Sequence, residues 1–461
     1  MELINSHILS FLIFMPLVAA GAVLLAPSLA FARVIAMAAA LLGFLGGLHV
    51  WYWFDGSSAA LQFVESYEWI PSMGIKYIVG VDGLSLLLVV LTTFLMPLVL
   101  LSQWHIEDGR QKAFISLLLA LQSGMIGALV AMDLVFFYVF WEAMLIPMYF
   151  IIGVWGGKRR IYAATKFVLY TVIGSLLMLA AAVLLYFAHF RQTGVYSTSL
   201  LDLYQVKLPF AMQTWMFAAF AVAFAIKVPM WPFHTWLPDA HVEASTPVST
   251  LLAGVLLKLG TYGLLRFGLG LLPEAWQAIA PFLAIWAVVS VIYGCLTAIT
   301  QKDMKKMVAY SSVGHMGYII LALSTATPLS LVGATFQMVS HGLISALLFI
   351  LVGIVYKKTG TRNLDSLNGL LNPELGLPVT GSLMILAAMA SAGTPGMMGF
   401  IAEFMIFRSS FAVFPVQTIL CMLGTVLTAV YFLIMIDRVF FGRFSVRKDG
   451  SDKIITSIPF A

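Results

Sequence analysis

The sequence predicts an all-α polytopic membrane protein of about 13–14 transmembrane helices. Three observations predict it. Apolar residues make up 61% of the 461-residue chain and charged residues only 10%, against roughly 25% charged in soluble domains. The apolar residues fall into about thirteen blocks, each near the ~20 residues that span a bilayer. The basic residues gather in alternate connections between those blocks, the pattern that orients membrane helices. A soluble core cannot absorb so much apolar surface, because cores stop growing beyond roughly 250–300 residues.

The blocks run near 7–27, 30–53, 83–103, 113–131, 133–155, 165–189, 213–236, 247–268, 275–297, 305–325, 330–356, 378–410 and 415–440. The first lacks a basic leader region and is followed by a second apolar block, so it reads as a retained span. The longest connections, 54–82 and 190–212, read as modest loops. Asp82 and Asp133 start apolar blocks and read as interfacial helix caps. Lys166, Asp437 and Arg438 lie near helix ends and read as anchors.

Connections after odd-numbered spans hold Arg110 and Lys112, Lys158 to Arg160, Lys302, Lys305 and Lys306, Lys357, Lys358 and Arg362, and finally Arg438, Arg443, Arg447 and Lys448, although the one after the seventh span holds no Lys or Arg and gives no signal. Those after even spans hold scattered bases such as Lys76, Arg191 and Lys207. The odd-following loops are therefore expected on the cytoplasmic side and the N-terminus outside.

Composition also excludes function classes. The net charge of +5 is dispersed in short runs, whereas nucleic-acid binding needs a clustered basic face. Cys295 and Cys421 both lie in apolar stretches and no CxxC motif occurs. They read as small buried hydrophobes, and an iron–sulfur site built by this chain is not expected.

Two spans are interrupted, the seventh and the twelfth. Pro229 and Pro232 closely follow Lys227, and Gly393-Thr394-Pro395-Gly396 sits inside 378–410. Proline removes a backbone donor and clashes with the preceding turn. Broken backbone at membrane depth is tolerated where it lines a protein interior or a wet cavity. A plain kink is the alternative reading. Paired interruptions in corresponding halves point to inverted repeats, approximately 113–268 and 275–440.

Four charges lie where lipid disfavours them. Glu142 is the only charge in Phe136–Ile152, and Lys258 lies eleven residues into its span, roughly 16 Å deep. A charge at the bilayer centre costs at least ~2.5–3.5 kcal/mol and commonly marks an ion pathway. Lys227 ends an apolar run just before the first break, and Glu403 follows the second by about two turns. Burial moves both lysine and glutamate toward neutral pKa, where each can accept and release a proton. Glu142 against Lys227 is the candidate switch. His315 lies beside Ser311 and Ser312, His341 beside Ser340 and Ser345, and His234 and His241 flank the first break. These four are candidate relay groups; hydrogen-bonded packing residues are the alternative. Haem ligation needs facing histidine pairs, and the spacing shows none.

Several stretches carry a family resemblance. They are Trp141-Glu142-Ala143-Met144-Leu145-Ile146-Pro147, Gly156-Gly157-Lys158-Arg159-Arg160, Lys227-Val228-Pro229-Met230-Trp231-Pro232-Phe233-His234, and Leu257-Lys258-Leu259-Gly260. With them the chain resembles the antiporter-like membrane subunits of respiratory complex I over nearly its whole length. Gly80-Val81-Asp82-Gly83 and Gly399-Phe400-Ile401-Ala402-Glu403 favour the M-type branch, the counterpart of mitochondrial chain 4.

The resemblance implies a proton-translocating subunit of an NADH–quinone oxidoreductase in the bacterial inner membrane. Sodium/proton antiport in a multi-subunit cation antiporter is the alternative. Glu142 would be the key carboxylate, Lys227 and Lys258 the proton-carrying lysines, Glu403 the exchange point with the outer face, and His315 and His341 relay groups. The implied partners are the other membrane-arm subunits, especially the antiporter-like L- and N-type subunits, together with membrane lipid. Flavin, iron–sulfur clusters and quinone would belong to partners, with no cofactor in this chain. Two departures stand out. Family members commonly have a fourteenth helix, whereas this sequence stops at Ser457-Ile458-Pro459-Phe460-Ala461. The second break has Thr394-Pro395-Gly396-Met397-Met398, where the family commonly has Leu-Pro and an Asn.

Overall fold

The computed structural model describes residues 5–105, 108–447 and 454–455. The segment where a fourteenth helix was expected to begin lies largely outside them. Among the described residues, twelve helices are long and apolar enough to cross a membrane. They are α1 (Ile8–Leu25), α2 (Leu29–Trp53), α3 (Gly83–Ser102), α4 (Gln111–Val130), α5 (Leu134–Trp155), α6 (Arg160–Thr193), α7 (Phe210–Lys227), α8 (Thr246–Leu269), α9 (Pro273–Ile299), α10 (Met304–Thr325), α11 (Pro328–Thr359) and α14 (Pro415–Phe440). Two half-length helices, α12 (Pro378–Ser391) and α13 (Met398–Phe411), together fill the remaining apolar block.

The chain divides into two compact units. The first comprises Met1–Val228, Glu243–Leu251 and Val255–Ile279. In it α1 packs on α4, and α7 packs on both α6 and α8. The second comprises Pro229–Val242, Leu252–Gly254 and Ala280–Ala461. In it α11 packs on α10 and α13, and α14 on α12 and α13. Within each unit the contacting faces are largely apolar, while many large apolar side chains remain exposed, among them Leu25, Trp215 and Val379. Such a surface is costly in water and suited to lipid.

Asp82 and Asp133 are the caps the sequence suggested. Asp82 accepts from the Ser85 N–H at 3.0 Å in a reciprocal capping box. Asp133 accepts from the Val135 and Phe136 N–H groups at 2.9 and 3.1 Å. Cys295 and Cys421 are free and buried, as expected of small apolar residues.

The connection 54–82 is more ordered than a loop. Gln62–Ile70 (β1) and Ile75–Val81 (β2) form an antiparallel hairpin. The buried Glu65 carboxylate on β1 accepts from the Leu9 and Ser10 N–H groups at 2.9 and 3.0 Å, satisfying orphan donors at the start of α1. A carboxylate on the buried face inverts the polar alternation by which a strand is read, which explains why the hairpin escapes a hydropathy reading. A small sheet joins Leu367–Asn368 (β3), Ser445–Arg447 (β4) and Ile454–Ile455 (β5).

Candidate functional site: buried carboxylates, lysines and histidines

Helix α7 stops where its prolines require. Its last residue is Lys227, and Val228 still donates to the Phe224 carbonyl at 2.8 Å. Pro229 has no N–H to continue the ladder. Turns follow until a short helix, Trp236–Glu243. The break therefore holds Lys227 at a helix end, where backbone carbonyls lack intrahelical donors.

Lys227 is 1% exposed. Its Nζ makes no hydrogen bond; it lies 5.0 Å from the Trp141 ring centroid and 5.6 Å from that of Phe167. Aromatic faces attract a cation without donating or holding a proton. The charge it interacts with is that of Glu142. Glu142 Oε1 is buried and makes no hydrogen bond. Glu142 stands beside a break that sequence reading missed: α5 is interrupted at Met144, between Leu134–Ala143 and Leu145–Trp155. Pro147 has no N–H for the Ala143 carbonyl, so the same physics that breaks α7 acts here.

Lys258 is fully buried. It lies on a short α-helical segment, Leu257–Gly263, between two π-helical turns, Leu252–Leu256 and Leu264–Leu269. Glycines let α7 pack closely on this segment. A Cβ at Gly260 would come within 2.7 Å of Val228 Cγ2 and 2.9 Å of the Phe224 carbonyl. At Gly263 it would collide with the Phe224 ring. Glu142, Lys227 and Lys258 all belong to the first unit.

The second unit holds the histidines and Glu403. Gly393 and Gly396, at φ +67° and +91°, make the turn between α12 and α13, a conformation that favours glycine. Met397 caps α13 without a side-chain hydrogen bond, in line with the missing Asn. Both halves of the broken span nevertheless reach His315 on α10. Ser391, the last residue of α12, lies with its Oγ 2.9 Å from His315 Nε2. Glu403, on α13, places Oε1 3.6 Å from His315 Nδ1. Glu403 Oε2 accepts from Thr425 Oγ1 at 2.9 Å.

Gln337 Nε2 also lies 3.4 Å from His315 Nδ1. This nitrogen thus has both an amide donor and a carboxylate acceptor beside it. The donor suits a bare nitrogen; the carboxylate suits a protonated one. His341 stands beside the same cluster, with ring centroids 5.6 Å apart. Together these side chains line a cavity of about 10 Å³, near the least volume that holds one water. His234 packs edge-on against Tyr293 at 4.9 Å, and His241 stacks on Phe349 at 4.4 Å.

Ser311 and Ser312 donate to the Val308 carbonyl, and Ser345 to that of His341, as hydroxyls commonly do within helices. Ser391, Gln337 and Glu403, all on other helices, stand beside His315.

Residues 131–428 match the family described as NADH:quinone oxidoreductase/Mrp antiporter, and residues 7–128 match the amino terminus of NADH-ubiquinone oxidoreductase chain 4. The chain belongs to this family. It is accordingly a multi-pass membrane protein. A similar family member is the NADH-quinone oxidoreductase subunit M of Rhodobacter capsulatus, 44% identical over 95% of this chain and 86% of the relative. Another is the NAD(P)H-quinone oxidoreductase chain 4 2 of Thermosynechococcus vestitus, 41% identical over 92% of this chain and 79% of the relative. Among solved structures, a chain of respiratory complex I from Thermus thermophilus with bound NADH is similar at TM-score 0.86 and 30% identity, covering 96% of this chain and 91% of that one. A chain of the Mrp complex from Dietzia sp. has the same fold at TM-score 0.85 and 21% identity, covering 100% and 86%.

Proposed function

We propose that this chain is the M-type proton-translocating subunit of an NADH–quinone oxidoreductase, coupling quinone reduction elsewhere in the complex to proton movement. The observation that carries the reading is His315 held between Ser391 and Glu403, one from each half of a broken span. Protein-lined titratable groups beside interrupted helices are what a proton path needs and what a passive anchor does not.

In this reading Glu142 and Lys227 form the switch. With the carboxylate charged, the ammonium is held; neutralising or withdrawing the carboxylate favours proton release. Lys258 is the central carrier, and His234 and His241 connect along the interrupted seventh span. His315 and His341 pass the proton toward Glu403, which exchanges it with the outer face. The two sets of groups would belong to inverted repeats near 113–268 and 275–440. The protein would lie in the bacterial inner membrane with its N-terminus outside, beside L- and N-type subunits and lipid. Flavin, iron–sulfur clusters and quinone would be held by partner subunits and none by this chain. Cation antiport, the alternative, is supported by likeness at the level of fold.

The test is purification of the intact complex followed by NADH oxidation in sealed vesicles. Co-purification with flavin- and cluster-bearing subunits, and proton uptake driven by NADH, are expected. Isolation with antiporter subunits alone, with sodium-driven proton exchange and no NADH oxidation, would overturn the reading.

A further inference from the structure

The proposed proton path leaves one largely buried ion pair of the first unit unused. Arg266 lies inside the second π-helical turn of α8, Leu264–Leu269, and is 9% exposed. Its Nη1 is 2.7 Å from Asp82 Oδ2. The Asp82 carboxylate is itself pinned to the first turn of α3 through the Ser85 N–H. Arg266 Nε donates to Tyr262 Oη at 3.1 Å, and the guanidinium carbon lies 5.1 Å from the Tyr262 ring centroid. Tyr204 Oη donates to the Arg266 carbonyl at 3.4 Å.

Lys258, Tyr262 and Arg266 follow at intervals of four residues. Tyr262 thus lies one turn from Lys258 on the same face of its α-helical segment. A π turn holds one residue more than an α turn. It rotates the segment before it by about 100° relative to an uninterrupted helix. Whether Leu264–Leu269 stays π-helical therefore decides which way Lys258 points. Stability alone is a weak reason for this pair, since apolar replacements of buried ion pairs are often neutral. Its geometric contribution is to tie the π turn to the start of α3.

We propose that Asp82 and Arg266 are positioning residues for Lys258, clamping the π turn of α8 so that the lysine keeps its buried direction. The functional weight of this rests on Lys258 being a proton carrier, but the positioning itself does not.

The experiment uses the intact complex with Cys295→Ala, Cys421→Ala and Lys258→Cys in this chain, and methyl methanethiosulfonate as the probe. The introduced thiol is expected to react slowly. Adding Arg266→Met should raise its rate about tenfold, as the uncompensated Asp82 charge opens the site. Asp82→Glu should leave it slow, and Asp82→Asn serves if Arg266→Met does not assemble. A thiol placed in α4 by Met125→Cys, a buried position, should not change. An unchanged rate at position 258, or an equal rise at position 125, overturns the proposal. In parallel, Arg266→Met with Lys258 intact should shift the pH profile of proton pumping, whereas Asp82→Glu, which keeps the ion pair with Arg266, should leave it in place. If Lys258→Ala pumps normally, the proton-carrier reading fails while the labelling result still decides the clamp.

Discussion

His315 Nδ1 lies 3.6 Å from Glu403 Oε1, and both side chains are buried. The same nitrogen is 3.4 Å from the Gln337 amide. One face of the imidazole is thus supplied for either state of the proton. That relationship is the geometric ground for the proposed role of Glu403.

Glu403→Gln keeps the shape of the side chain and a carbonyl for Thr425, but removes the titratable carboxyl beside His315. Proton release should slow about tenfold or more while the complex assembles normally. Stopped-flow measurement of pumping in vesicles, with subunit composition checked in parallel, reads both. Loss of assembly at normal specific activity would mark Glu403 as a structural carboxylate.

Gly156-Gly157-Lys158-Arg159-Arg160 finds its physical reason at Glu243. The Gly157 N–H donates to the Glu243 carbonyl at 2.9 Å, and the Arg159 N–H to Glu243 Oε2 at 2.9 Å. A Cβ on Gly157 would come 2.6 Å from Glu243 Oε2. Gly157→Ala should displace the carboxylate and cost about the 0.5–1.5 kcal/mol of its hydrogen bond from Arg159, seen as a slightly lower Tm of the purified complex. Glu243→Ala removes the obstructing carboxylate, so the double variant should lose less than the sum of the singles.

Outside the membrane, Asp365 meets Lys302 at 2.8 Å and Arg438 at 3.2 Å. The hydrogen bond from Lys302, with the charges of Lys302 and Arg438, holds its carboxyl below the usual carboxylate range. A carboxyl lowered in the folded state contributes stability above its unfolded pKa and loses it as pH falls through the folded value. Asp365→Asn should therefore cost a little Tm at pH 7 and nothing at a pH below the lowered value. The effect is small because all three side chains are substantially exposed. A loss in the variant that persists undiminished into acid would contradict this.

The spans were legible because the bilayer demands about 20 apolar residues, and α1 to α11 fall close to where hydropathy puts them. Breaks after Lys227 and at Gly393–Met397 were legible because proline and glycine act locally. The break at Met144 was equally local, since Pro147 causes it, but a single proline in an apolar run resembles many tolerated kinks. Burial of Lys258 followed from its depth in the span, while Glu403 was singled out by its place about two turns after the second break. The long-range contacts of His315 were not legible: Ser391, Gln337 and Glu403 are brought to it by helix packing, over separations that no local pattern encodes. Arg266 was passed over because it stands near the end of its span, where an arginine normally reaches for water. Its pairing with Asp82 depends on the fold placing the start of α3 beside it.

The central claim is that buried charge in this chain carries protons, and the Glu142–Lys227 pair tests it most directly. The measurement is the proton-to-electron ratio of the assembled complex in sealed vesicles, for Lys227→Ala and for Glu142→Gln. The account predicts that the ratio falls sharply in both while the NADH-oxidising subunits remain intact. An unchanged ratio in both variants would contradict it.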